Sequence, residues 1–299
     1  MSSDSNSPPG RAAGAWAAAG AFLLWGVFPL YWKRLHGISP FELIAHRVVW
    51  SLVLLVGLIR LRHSSGAFIA ALRNSRVCAL YLLSGVLLAA NWLIYVWAVN
   101  ANHIVETSLG YFLNPLCNVA LGFLVLRERL RPLQWTAVAC AAAGVIVQLV
   151  ELGRLPWIAL GLAGTFSLYG LLRKQGPLGP VAGLGLETLL LAPIAAAFLV
   201  WRGFTGEGAL GHVGTEQQVL IIGTGIVTSV PLLLFARAAH ALPLSLLGVF
   251  QYLAPSVQFL IGVLVYHEPL GRTQVTSFVL IWIGLALFTI DSLRRRAAA

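Results

Sequence analysis

The chain has 299 residues, 59% of them hydrophobic and only 10% charged, and its mean hydropathy is +0.84. A soluble domain carries about 25% charged residues, so this composition excludes an ordinary soluble enzyme, a disordered protein, a collagen and a disulfide scaffold, and leaves a polytopic membrane protein. The net charge of +10 fits loops that collect Lys and Arg beside a bilayer rather than a nucleic-acid partner.

Residues 1–14 are polar and carry Pro8, Pro9 and Gly10, which predicts a disordered tail. A spanning helix needs about 20 mostly apolar residues. Ten such stretches follow, at 15–32, 42–59, 77–99, 103–126, 133–150, 156–172, 181–201, 217–236, 243–265 and 272–290, and a basic tail occupies 291–299. With the N-terminus inside, the cytoplasmic loops hold Arg11, Arg60, Arg62, Arg73, Arg76, Arg127, Arg129, Arg131, Arg173, Lys174, Arg237 and Arg294 to Arg296. The external ones hold only Lys33, Arg34, Arg154, Arg202 and Arg272. That imbalance puts both termini in the cytoplasm. Cys78, Cys117 and Cys140 fall in apolar runs without metal spacing and read as inert thiols.

Sliding the chain by 140 residues lays 113–144 on 253–284 without gaps, matching Pro115/Pro255, Gly122/Gly262, Glu128/Glu268, Gln134/Gln274 and Gly144/Gly284. Shared apolar bias does not explain matching Pro, Gly, Glu and Gln. The chain therefore divides into a first repeat at 15–150 and a second at 151–290. Each has five helices, and since five is odd the second enters the membrane upside down. Inverted repeats are the mark of alternating-access transporters. The expected fold is an all-α membrane protein of ten transmembrane helices.

The segments NWLIYVWAVN (91–100), ETSLGYFLNPLCNVALGFLVLRERLRPLQW (106–135) and SLYGLLRK (167–174) resemble the RarD permeases, also called chloramphenicol-sensitive proteins, of the EamA family in the drug/metabolite transporter superfamily. The likeness runs over nearly the whole chain. It implies two EamA repeats, a bacterial inner-membrane location and export of a metabolite or a drug such as chloramphenicol. It supplies no binding residues, so these come from the polar side chains inside the spans.

Ionisable groups deep in a span cost at least about 2.5 kcal/mol and usually face a cavity or a partner. Glu42 and His103 at the outer interface read as snorkelling side chains. Arg47, about 7.5 Å below Glu42 at 1.5 Å per residue, reads as one half of an outer gate with Glu106. Glu187 with Arg237 makes the inner gate, Glu106 and Glu187 are the candidate proton carriers, and Arg173 and Lys174 are positive-inside anchors. At the midplane Tyr111, Asn114 and Asn118 share one helical face and Gln251 and Gln258 another. Pro115 and Pro255 are expected to break those two helices at equivalent points, the best sequence pointer to a transporter site. Asn91, Tyr95, Trp25 and Tyr169 complete the expected solute site.

No Walker A loop, HExxH or GxSxG occurs, so no cofactor, metal or catalytic residue is expected. The partners are a small organic solute and the bilayer, with a homodimer left open. A sensor or assembly factor without transport and a membrane enzyme are the alternatives.

Overall fold

The computed structural model describes residues 10–61, 65–101, 103–153, 155–265 and 271–297. Its helices are α1 (Arg11–Trp32), α2 (Pro40–Leu61), α3 (Ser65–Leu72), α4 (Ser75–Asn100), α5 (Ile104–Leu124), α6 (Pro132–Leu152), α7 (Trp157–Gln175), α8 (Pro180–Phe204), α9 (Thr215–Ala241), α10 (Leu244–Gln251), α11 (Leu253–Leu264) and α12 (Arg272–Ala297). Among the described residues eight segments are long and apolar enough to cross a bilayer, α10 and α11 together forming one of them, and α5 adds a shorter apolar stretch, Leu109–Leu124. The remaining span is α7, which buries nine residues, including Ser167, Tyr169 and Arg173, against its neighbours. Its polar side chains face protein, which is why a central helix tolerates them.

The helix ends follow local chemistry. Pro40, Pro132 and Pro180 occupy the first helical position of α2, α6 and α8, where the missing N–H costs nothing. Helix α1 starts at Arg11, inside the stretch expected to be a tail, because RAAGAWAAAG is strongly helix-forming. Gly14 there packs on α9, where an added Cβ would meet that of Ala241. The short α3 between the second and third spans is an addition that residue periodicity did not announce.

Packing relates the halves by a pseudo-twofold axis. Helix α1 packs on α9 as α7 packs on α4, and α1 packs on α10 and α11 as α7 packs on α5. The pairs α2–α8, α5–α10 and α6–α12 cross on the axis itself. The α6–α12 crossing is symmetric to the residue. A Cβ on Gly144 would lie 2.8 Å from the Ser277 carbonyl oxygen, and one on Gly284 would lie 2.6 Å from that of Ala137. Both pairs are related by the same 140-residue offset. Small residues let helix backbones approach this closely.

The prolines act differently in the two halves. Helix α5 runs unbroken through Pro115, and the nearby carbonyls of Phe112 and Asn114 accept hydrogen bonds from Tyr252 Oη and Ser167 Oγ, both at 3.3 Å. The second equivalent helix does divide, at Tyr252. A proline ring clashes with the carbonyl four residues earlier, here that of Gln251. The expected pair of breaks is thus corrected to one.

Candidate solute-binding cavity

A cavity of about 670 Å³ lies between α1, α2, α4, α5, α7, α9, α10 and α11. One end reaches the exposed Lys33 and His36 beside Pro40. The other end stops at the buried Asn114 and Gln251 near mid-bundle. Of the expected solute-site residues, Trp25, Asn91, Tyr95, Tyr111, Asn114, Gln251 and Gln258 line it, and so does Pro255.

Each amide is held by a neighbouring helix. Asn91 Nδ2 donates to the Leu162 carbonyl at 2.8 Å and to Thr165 Oγ1 at 3.0 Å, joining α4 to α7. Asn114 Oδ1 accepts from Ser167 Oγ at 2.7 Å. Gln258 Nε2 donates to the Trp25 carbonyl at 3.2 Å. Trp25 meets Phe166 edge-on at a centroid distance of 5.7 Å, an aromatic wall of the kind that binds apolar rings.

Two expected residues lie elsewhere. Asn118 is fully buried beneath the cavity, where its Nδ2 donates to Gln251 Oε1 at 2.8 Å. Tyr169 is also fully buried, stacked on Phe235 at 5.8 Å. Both sit on faces that helical periodicity makes equivalent to lining positions. They lose the cavity because α5, α7 and α10 close over them.

Arg47 is a cavity residue. Its guanidinium lies 3.9 Å from the Trp92 ring centroid and 5.1 Å from that of Trp32, and Nε donates to Thr228 Oγ1 at 2.9 Å. The side chain of its expected partner, Glu106, lies outside the described residues, as does Glu268. Among the described residues Arg47 forms no ion pair.

The far end is sealed by polar contacts between helices. Arg173 and Glu187, both completely buried, pair at 3.3 Å. Ser84 Oγ donates to the same carboxylate oxygen at 2.6 Å, and Arg173 reaches the Pro180 carbonyl at 3.3 Å. This corrects two expectations. Glu187 takes Arg173 as partner, whereas Arg237 points outward from α9, exposed. Arg173 is the buried core of the seal and no interfacial anchor. Lys174 holds the carbonyls of Ala239 and Leu242 at the end of α9. Glu128 accepts from the Leu244 and Ser245 amides at 2.6 and 3.0 Å, capping the N-terminus of α10, where a carboxylate meets the positive end of the helix dipole. Gly122 gives that carboxylate room, since a Cβ there would sit 2.7 Å from its oxygen. Sequence marked Glu128 only as half of a repeat match. Glu128 precedes α6 in the chain, and only packing brings its carboxylate to the start of α10.

At the cavity's open end, Glu42 does not snorkel. It is buried, accepts from the Ala209 amide at 2.5 Å and pairs with Arg202 at 3.2 Å. Its partners come from the last turn of α8 and from the α8–α9 loop, which depth along α2 does not disclose.

The EamA-like transporter family model matches residues 12–150 and again 155–290. An uncharacterized transporter of Vibrio cholerae is 44% identical over 282 residues, covering 94% of this chain and 93% of its own. Protein RarD of Escherichia coli strain K12 is 40% identical over 280 residues, covering 94% and 95%. A solved structure, titled only as a crystal structure of a protein, superposes with a TM-score of 0.70 at 20% identity over 94% of this chain and 98% of that one, a likeness of fold.

Proposed function

The chain belongs to the EamA-like transporter family, as a permease of the RarD type in two repeats, and from that premise we propose that it exports a small organic solute by alternating access through the cavity. The observation that carries this reading is the one-ended cavity between the repeats. It is lined by amides, tyrosines and tryptophans, open at Lys33 and His36 and shut at the other end by the Arg173–Glu187 pair. A site at mid-bundle with one closed end is what rocking of two repeats about a fixed site requires. Loop charge puts both termini in the cytoplasm, so the open end faces outward and the sealed end inward. A membrane enzyme would need a nucleophile or an acid–base pair at the solute. At mid-bundle the described lining offers amides, phenols and a guanidinium instead, while Lys33 and His36 stand at the exposed mouth.

The test is flux. Proteoliposomes holding the purified protein are loaded with a metabolite extract, and the solutes released are identified by mass spectrometry. Release of a defined solute, abolished by Asn114→Leu with insertion intact, is the expected result. Protein-independent leakage alone would defeat the transport reading.

A further inference from the structure

We infer that the cavity selects an organic monoanion, a carboxylate on an aromatic or apolar body, and that Arg47 is its anchor. This rests on the reading of the cavity as the solute site, and it names the class of solute.

The first observation is the charge of the walls. The described lining residues include the basic Lys33, His36 and Arg47 and no Asp or Glu. A cation, or the ammonium of a zwitterion, would leave water for a site without a counter-charge, a penalty that pairing normally offsets. A carboxylate meets the opposite situation.

The second observation is the state of Arg47. It lies seven residues into α2, roughly 10 Å below the helix start at 1.5 Å per residue. Nε is committed to Thr228, and the guanidinium carbon lies over two indole rings. Cation–π contact lowers the cost of holding the charge there, but it supplies no hydrogen bond to the outer edge of the group. The two terminal amino groups have no hydrogen-bond partner among the described residues. That edge is the fork which binds a carboxylate through two parallel hydrogen bonds. A half-buried guanidinium with no carboxylate beside it among the described residues is costly in the empty protein, so the site gains when an anion arrives.

The third observation is the rest of the wall. Trp25, Phe28 and Phe166 offer aromatic faces, and Tyr95 and Tyr111 offer neutral hydroxyls. One deep cation among neutral groups suits a single negative charge on a ring-sized body, and the volume of about 670 Å³ holds one.

The experiment uses the full chain in lipid nanodiscs and three matched probes: 3-phenylpropanoate, 3-phenylpropanamide and 3-phenylpropylamine. Calorimetric titration should find the carboxylate bound about tenfold or more tighter than the amide, the size expected of charge-assisted hydrogen bonds, and the amine bound weakest. Arg47→Gln should bring carboxylate and amide to equal affinity, and Arg47→Lys should keep part of the preference. Monodisperse elution and an unchanged melting temperature establish that the variants fold. If Arg47→Gln does not fold, the wild-type order and Arg47→Lys decide. An amide or amine that binds as tightly as the carboxylate overturns the anion proposal and leaves the cavity a solute site. So does a carboxylate preference that survives Arg47→Gln. Failure of all three probes to bind also overturns it, and the flux measurement then judges the transport reading separately.

Discussion

Asn118 and Gln258 occupy the same place in the two repeats and meet opposite surroundings. Gln258 lines the open cavity and reaches across to the Trp25 carbonyl. Asn118 is buried in the closed half, bonded to Gln251. The twin glycines of α6 and α12, by contrast, make mirror-image contacts at one crossing. Where the helices meet on the axis the repeats are alike, and where they flank the cavity they are not. One sequence pattern thus occupies two conformations at once, which is how an inverted repeat holds a site open to one side only. Exchange of the two conformations would release Asn118 from Gln251 and bring Gln258 to Tyr111, the repeat equivalent of Gln251.

The largest blow to this asymmetry is aimed at the seal. Glu187→Ala or Arg173→Ala leaves a buried unpaired charge and should cost about 3–5 kcal/mol, with the double variant recovering most of it. Melting temperatures of the purified variants, with Arg237→Ala as an exposed control expected to stay within about 0.5 kcal/mol, measure this. A cysteine at position 118 should become reactive from the cytoplasmic side in the Glu187→Ala background. Equal melting of all four variants would remove the seal from the account.

A smaller effect tests the symmetric crossing. Gly144→Ala and Gly284→Ala each force a methyl group against a backbone carbonyl and should cost about 1–3 kcal/mol, like other overpacked sites. The two should lie close together in denaturant midpoint. A large inequality would show that the α6–α12 contact also breaks symmetry.

The last comparison separates the twin amides, one of which should show the smallest effect of all. Asn118→Leu leaves Gln251 Oε1 buried without its donor, a loss of about 1–3 kcal/mol, whereas Gln258→Leu alters an amide facing the cavity and should leave melting nearly unchanged. Both should slow flux and neither should block insertion, since leucine suits the bilayer. Identical melting of the two variants would contradict the different environments of these residues.

The spans and the repeat were legible in the sequence because both are written along one dimension. A bilayer demands about 20 apolar residues per crossing, and a duplicated unit repeats its Pro, Gly and Glu at a constant interval. Residue type also marked most of the cavity, as Trp25, Asn91, Tyr111, Asn114 and Gln258 show. Depth along a helix does not say which helix stands alongside. Glu187 could be assigned to the inner half, but only packing pairs it with Arg173 from α7 in place of Arg237. Likewise Glu42 finds Arg202 across 160 residues, and Arg47 lies against Trp32 and Trp92. Asn118 and Gln258 carry the same signal in sequence by construction. Which of them faces solute is decided by how the two repeats lean on each other, and that is a property of tertiary packing alone.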